Sequence, residues 1–382
     1  MTTQPSTSDA VSTGGTVPVL EVRNLTVEFP TDDGIVQAVR GVSFSLEPHQ
    51  VLGIVGESGS GKSVTSLAIM GLLPRSARVR GEVNFQGRNL LRYSDKDLAN
   101  IRGRKIAMIF QDPMTSLNPV YTVGWQLREA ILAHQDISKD QAWKRSVELL
   151  DLVGIPNPKE RATNYPHEFS GGMRQRAVIA MAMTNDPDVI IADEPTTALD
   201  VTVQAQVLDT LERVQENTSA GIVLITHDLG VVAGMADQVL VMYAGKPVEI
   251  GTVDQIYYDP RMPYALGLLG SLPRLDAKGE EPLTPIRGAP PSLINLPPGC
   301  PFSPRCPMSR PHCDQEEPAL RAIGGPGHLA ACHYAEELAG DVAAAEVFET
   351  TEADLGALEE LDHLGNLEEP AEAVGDTPEG QP

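Results

Sequence analysis

The segment Gly56-Glu57-Ser58-Gly59-Ser60-Gly61-Lys62-Ser63 constrains this chain more than any other. It fits G-x-x-x-x-G-K-S. The apolar run Val51-Leu52-Gly53-Ile54-Val55 precedes it, and Val64-Thr65-Ser66-Leu67-Ala68-Ile69-Met70 can continue as a helix. Strand, glycine-rich loop and helix is the context in which such a motif cradles phosphate, and it points to an α/β fold. Glycines let backbone N–H groups approach phosphate oxygens closely, and the helix N-terminus adds partial positive charge at the same spot. Lys62 is placed to reach outer phosphates, and the Ser63 hydroxyl is placed to ligate Mg²⁺. The bland reading is a tight, glycine-rich turn. Lys-Ser in the required place argues against it.

Composition bounds the rest. At 382 residues the chain is expected to hold two or three domains, and an apolar fraction of 41% is enough for real cores. No run of 18 or more apolar residues occurs, so no bilayer-spanning helix is expected. Residues 1–17 are polar and rich in Ser, Thr and Gly, without a basic start and an apolar stretch. They read as disordered rather than as a signal peptide, which makes a cytoplasmic location the expectation. The formal net charge is −23, but residues 341–382 hold 13 Asp and Glu and no Lys or Arg, which leaves about −10 (−23 + 13) elsewhere. So acidic a chain is a poor binder of phosphate backbones, and no nucleic-acid partner is expected.

Hydrophobic patterning gives coarse architecture. Residues 18–50 alternate apolar and polar, as strands of an antiparallel sheet around a turn at Gly34. Residues 79–91 resume a strand-and-turn pattern, and residues 118–168 are largely helical, with Val147, Leu150 and Val153 on one face. Val189 to Ala192 and Ile222 to Ile225 are short, wholly apolar runs suited to buried parallel strands, and Val239 to Met242 begins a final strand group. Beyond Asp259 proline becomes dense. From about Glu336 the chain turns to Ala, Glu, Leu and Asp and is expected to be disordered.

A second constellation narrows the chemistry. Asp193-Glu194 closes the run Val189 to Ala192, where one carboxylate can hold Mg²⁺ and the next can polarise water. A strand-end acid pair that merely caps the next helix is the bland alternative. Phe169-Ser170-Gly171-Gly172-Met173 lies upstream, with Ser170 23 residues before Asp193, and Ser-Gly-Gly at a helix start is another anion-cradling element. Gln111 follows the apolar stretch Ile106 to Phe110. His227 follows a buried run, 33 residues after Glu194, at a strand end. A lone histidine is usually structural, but this position favours function.

In this order these six motifs resemble the nucleotide-binding subunits of ATP-binding cassette transporters, over roughly residues 18–260. The resemblance implies a RecA-like parallel-sheet core, an antiparallel β subdomain and a helical subdomain at about 118–180. It implies ATP and Mg²⁺ as ligands and ATP hydrolysis as the activity. Phe29 would stack on adenine, and Gly56, Ser58, Gly59, Ser60, Gly61, Lys62, Ser63 and Val64 would hold phosphate. Ser63, Asp193 and Gln111 would meet Mg²⁺. Glu194 would be the general base and His227 the switch near the γ-phosphate. Ser170, Gly171 and Gly172 would cap ATP bound to the opposite subunit, with Asp200 of the Ala198-Leu199-Asp200 loop beside them. The usual Leu-Ser-Gly-Gly-Gln reads Phe-Ser-Gly-Gly-Met here, which keeps the groups that touch phosphate.

Residues 261–335 form an extension with Pro263-Tyr264-Ala265-Leu266, Arg287-Gly288-Ala289-Pro290-Pro291 and Cys300-Pro301-Phe302-Ser303-Pro304-Arg305-Cys306, then Cys313 and Cys332. This resembles the D-type ATPase subunits of the oligopeptide/dipeptide branch, whose relatives also import nickel or glutathione. The resemblance implies two transmembrane permease subunits, a second, F-type ATPase and an extracytoplasmic substrate-binding protein. It places the chain peripherally on the cytoplasmic face of the inner membrane. The cysteine spacings lack the C-x2–4-C knuckles of structural zinc sites. Four thiolates on a proline-stiffened loop suit a four-iron, four-sulfur cluster acting as a structural staple, with zinc and free thiols as alternatives. A soluble cassette ATPase of DNA repair or translation is the rival class. Repair members place a long coiled coil between the phosphate loop and the acid pair, yet Gly56 and Asp193 are only 137 positions apart, and translation members carry two cassettes where one stands here.

Overall fold

The computed structural model describes residues 17–112, 116–197, 199–271, 285–340 and 347–348. The expected disordered start, most of the acidic tail and Ala198 lie outside the described residues. Among the described residues, twelve strands form two sheets. The strands are β1 (Leu20–Thr31), β2 (Gly34–Leu46), β3 (Val51–Val55), β4 (Arg78–Phe85), β5 (Arg88–Asn89), β6 (Ile106–Ile109), β7 (Val189–Asp193), β8 (Gly221–Thr226), β9 (Gln238–Tyr243), β10 (Lys246–Thr252), β11 (Arg321–Ala322) and β12 (Leu329–Ala330). The helices are α1 (Lys62–Met70), α2 (Asp95–Ala99), α3 (Val123–Leu132), α4 (Lys139–Leu152), α5 (Pro158–Arg161), α6 (Gly171–Ala182), α7 (Val201–Asn217), α8 (Leu229–Met235), α9 (Val253–Tyr258) and α10 (Pro263–Gly270).

The smaller sheet has the order β2-β1-β4-β5 and is antiparallel throughout. The larger has the order β11-β12-β10-β9-β3-β8-β7-β6. Its β9-β3-β8-β7-β6 portion is parallel. Every residue of β3, β7 and β8 is buried, as expected for strands covered on both faces. Alternation decides which face each residue serves. Ile190, Ala192, Ile222 and Leu224 pack with the helices α3, α4, α6 and α7, through Leu127, Leu149, Ile179 and Leu211. Their neighbours Val189, Ile191, Val223 and Ile225 point the other way, toward Leu20, Val27, Val42 and Phe44 of the antiparallel sheet and Ile69 of α1. The parallel sheet is thus the middle layer between a helical layer and a β layer. Each large aliphatic side chain buried this way contributes about 1.5–3 kcal/mol.

The extension joins the same sheet. Strand β10 pairs with β9 and with β12, and β11 pairs with β12, all antiparallel. Val239, Val241 and Tyr243 of β9 face Tyr264, Phe302, Cys300 and Cys313. Their alternates Leu240 and Met242 face the cassette core. At the seam, His328 and Glu249 are wholly buried and 2.8 Å apart, and Glu249 also accepts from the backbone N–H groups of Arg261 and Met262. Burial raises the Glu249 carboxyl above the usual range.

Candidate active site

Three parallel strands deliver the polar side chains to one edge of the sheet. Strand β3 runs into the phosphate loop, β7 ends in Asp193 with Glu194 next, and β8 ends at Thr226 with His227 next. Because β7 and β8 flank one another and β8 flanks β3, residues far apart in sequence meet there.

The loop takes the shape its glycines permit. Gly56, Gly59 and Gly61 have φ of +151°, +78° and +101°, a region that side chains disfavour. A Cβ at Gly56 would sit 2.2 Å from the Met242 carbonyl, and one at Gly61 2.4 Å from the Ala38 carbonyl. Lys62 is buried, and its ammonium donates to the carbonyls of Gly56 (2.7 Å) and Glu57 (3.0 Å). Burial lowers its pKa, while Glu194, Asp193 and Glu57 oppose that shift. Helix α1 begins at Lys62 without a side-chain cap and without an acid in its first turn. The first N–H groups of a helix have no intrahelical partner, so this start is free to receive an anion.

The acid pair is held by different neighbours. Asp193 accepts from the Ser63 hydroxyl at 2.9 Å and the Ser66 hydroxyl at 3.2 Å. Burial raises its pKa, and the two hydroxyls work in the opposite direction. Glu194 has φ +49° and donates its N–H to the Ile225 carbonyl at 2.8 Å, which ties β7's end to β8. Its carboxylate accepts from Gln111 Nε2 at 2.7 Å and Thr197 Oγ1 at 2.9 Å. His227 Nδ1 lies 3.7 Å from the other carboxylate oxygen, with 59% of the side chain exposed. Gln111, Glu194, His227, Asp193, Ser63 and Lys62 therefore form one constellation.

The remaining expected residues lie elsewhere. Ser170 caps α6 by accepting from the Met173 N–H. Ser170 and Gly171 are exposed, while Gly172 packs on Val203, where a Cβ would approach to 2.5 Å. Asp200 caps α7 and is exposed. Phe29 is half-buried on β1, paired with Val36. Val64 is half-buried on α1. Among the described residues no hydrogen bond or ion pair joins Ser170 or Asp200 to the constellation around Lys62. They form a second, outward-facing group.

The chain's own features fit a nucleoside triphosphate with Mg²⁺. Ser60 Oγ is buried without a partner. Gly56 and Gly61 leave no room for a side chain, and Ser63 with Asp193 is an oxygen donor pair of the kind Mg²⁺ takes. Sequence reasoning missed Ser66 and Thr197. Each stands three positions after a residue singled out, so helical or turn spacing would have found them. It met Glu57, Tyr264 and Arg305 only as members of motifs and gave them no role, because nothing local to one points to the others.

Residues 39–197 match the family model of the ABC transporter, and residues 248–313 match that of the oligopeptide/dipeptide transporter C-terminal region. The chain is 57% identical to the dipeptide transport ATP-binding protein DppD of Bacillus subtilis over 323 residues, covering 84% of this chain and 96% of that one. It is 55% identical to the oligopeptide transport ATP-binding protein OppD of Mycobacterium tuberculosis over 342 residues, 89% of this chain but only 56% of that longer one. Among solved structures, the dimeric post-hydrolysis state of the ATP-binding cassette MJ0796 bound to ADP and Pi superposes with a TM-score of 0.55 at 26% identity, over 61% of this chain and 98% of that one.

The iron–sulfur expectation at Cys300, Cys306, Cys313 and Cys332 is overturned. Among the described residues no group of three or more His, Cys, Asp or Glu is arranged to hold a metal ion, which removes the zinc alternative as well. The relatives are named for peptide transport, with no iron–sulfur in their names. The physical reason lies in the surroundings. All four cysteines are free. They line a cavity of about 20 Å³ shared with Met262, Phe302 and Tyr334, room for about one water rather than four irons and four sulfides. Burial pushes the Cys306 thiol up to about 12, the Cys332 thiol up to about 11 and the Cys300 thiol upward too. At Cys300, Cys306 and Cys332 the pocket favours the neutral thiol. The cysteines pack as small apolar side chains. With the loop, the acid pair and the extension all in place, this chain belongs to the oligopeptide and dipeptide transport ATP-binding proteins of the ABC transporter family.

Proposed function

We propose that this chain hydrolyses ATP to drive uptake of di- or oligopeptides through partner membrane subunits. The observation that carries the reading is the position of Glu194. Its carboxylate is oriented by Gln111 and Thr197, borders His227, and stands beside the Asp193–Ser63 pair and the buried Lys62. A carboxylate so held is suited to accept a proton from water attacking the terminal phosphate. Lys62 supplies positive charge to the transferred phosphoryl group, and the free start of α1 adds backbone N–H donors. Ser63 and Asp193 are the residues that would hold Mg²⁺, which would supply positive charge against the phosphate oxygens.

Ser170, Gly171 and Asp200 face outward and complete no site in their own chain. In this reading they cap ATP held by the other half of a head-to-tail dimer, and that half is a second, F-type ATPase. Among the described residues no helix is long and apolar enough to cross a membrane. In the same reading the chain docks on two permeases at the cytoplasmic face of the inner membrane, and an extracytoplasmic binding protein supplies the peptide. The match of residues 248–313 to the peptide-transporter C-terminal region favours this over a repair or translation ATPase.

The direct test is Lys62→Ala. The ammonium is buried and has no nearby substitute, so MgATP binding measured by calorimetry should be lost in the concentration range where the parent saturates. Binding like the parent would remove the assignment.

A further inference from the structure

The extension reaches the phosphate loop at Glu57. Each polar group of Glu57 is engaged. Its carbonyl accepts from the Ser60 N–H at 3.2 Å and from Lys62 Nζ at 3.0 Å, both within the loop. Its N–H donates to the Tyr264 hydroxyl at 2.8 Å. Its carboxylate accepts from both terminal nitrogens of Arg305, at 2.6 and 2.8 Å. Tyr264 and Arg305 both lie in the extension, on α10 and on the turn between Cys300 and Cys306.

Arg305 is itself fixed. Its side chain is only 4% exposed, its Nε donates to the Arg287 carbonyl at 2.9 Å, and one terminal nitrogen donates to the Tyr243 hydroxyl at 3.3 Å. The guanidinium lies beside the rings of Tyr243 and Phe302, at 5.9 and 6.0 Å from their centroids. Tyr243, Tyr264 and Phe302 pack on one another. The planar fork is thus held rigidly and meets a carboxylate in the bidentate geometry that arginine alone provides. By contrast the crest of the loop, Ser58 and Gly59, is exposed, and a Cβ on Gly59 would touch nothing within 4 Å. The loop is held at its two ends, at Ser60, whose carbonyl accepts from the Gly245 N–H at 3.0 Å, and at Glu57, the end that the extension holds.

We propose that Arg305, with Tyr264, is a positioning residue for the nucleotide site: the extension sets the phosphate loop by clamping Glu57. This rests on the reading of Gly56 to Ser63 as the ATP phosphate loop. Arg305 touches no reacting atom. It acts through Glu57, whose carbonyl also receives Lys62. The four-cysteine module acquires a role in the cassette by this route, since the clamp stands on the turn that joins Cys300 to Cys306.

The experiment uses the full chain and MgATP as the probe, with binding by calorimetry and steady-state ATPase in the assembled transporter. Arg305→Met should weaken MgATP binding about 10- to 100-fold, the scale on which small misplacement of a site acts. KM should rise while kcat at saturating ATP stays within about twofold. Arg305→Lys keeps the charge but loses the fork, and should recover part of the affinity. Glu57→Gln should weaken binding similarly, and the double variant should be no worse than either single one, because both remove the same contact. Should Arg305→Met lower the melting temperature, Glu57→Gln, made on the cassette side, decides the matter. Affinity within twofold of the parent in Glu57→Gln, or effects that multiply in the double variant, would overturn the proposal. Lys62→Ala separates the two readings. Lost binding there with unchanged binding in Arg305→Met rejects the clamp alone, whereas retained binding in Lys62→Ala rejects the site beneath it.

Discussion

The nucleotide site and the four-cysteine pocket are both clusters of ionisable side chains, and they differ in what surrounds them. At the nucleotide site each acid has polar neighbours. Asp193 has two hydroxyls, and Glu194 has an amide, a hydroxyl and an imidazole nearby. In the cysteine pocket most of the surrounding side chains are apolar, Met262, Phe302, Met308 and Ala331 among them, with Ser303 and His333 at its wall and the Tyr334 N–H donating to Cys332 at 3.4 Å. At Asp193 two hydroxyl donors oppose the burial that disfavours its charged form, while at Cys300, Cys306 and Cys332 burial favours the neutral thiol. Residue type alone suggested chemistry at both clusters. Environment separates a reacting site from a packed one.

The sharpest way to break that contrast is Glu194→Gln. If the polar cluster exists to present a base, removing the base while keeping the shape should slow ATP hydrolysis in the assembled transporter by about 10²–10⁴-fold. MgATP binding should survive, because Lys62, Ser63 and the loop are untouched. A variant that turns over ATP like the parent would show that another group accepts the proton.

The cysteine side yields to alkylation and to pH. Thiols react as thiolates. With Cys306 pushed up to about 12 and Cys332 up to about 11 from 9.0, native protein at pH 8 should carry on the order of 10³ and 10² less thiolate at these positions than free thiols do. Iodoacetamide labelling should therefore be slow until urea unfolds the extension. The sign of the stability effect follows. Folded values above the unfolded one give a contribution that is fully present below pH 9 and is lost as pH rises toward 11 and 12. Proteolysis of the extension should accelerate over that window, and a chelator should leave its melting unchanged. Rapid labelling of native protein at pH 8, or melting that falls with chelator, would erase the contrast drawn above.

How legible each region was follows from the same physics. The loop, Asp193-Glu194 and His227 were readable because each sits at the end of an apolar run, where a sheet edge must present it. The middle-layer strands were readable because both faces are buried and the runs are continuous. Strands β11 and β12 are two residues each, too short to show a period. The Arg305–Glu57 clamp joins positions 248 apart, and nothing local to either announces the other. The four cysteines suggested ligand chemistry by their type and by lying together on a proline-stiffened loop, but whether a thiol is charged depends on neighbours that only the fold supplies.

The smallest expected effect probes the polar side most finely. Ser66 is buried on α1, one helical turn after Ser63, and the two hydroxyls meet the two oxygens of one carboxylate. Both bonds favour the charged form of Asp193 against the burial that disfavours it. Ser66→Ala removes one of them and leaves Ser63 in place. The Asp193 pKa should then rise further, so the carboxylate should be protonated at a higher pH than in the parent. Because the charged form is the one suited to Mg²⁺, the acidic limb of the ATPase pH profile should move to higher pH. Activity well above that limb should fall less than about fivefold, the scale of one net hydrogen bond. A pH profile superimposable on the parent's would mean that Ser63 alone keeps Asp193 ionised, and that the second hydroxyl serves only the packing of α1 on β7.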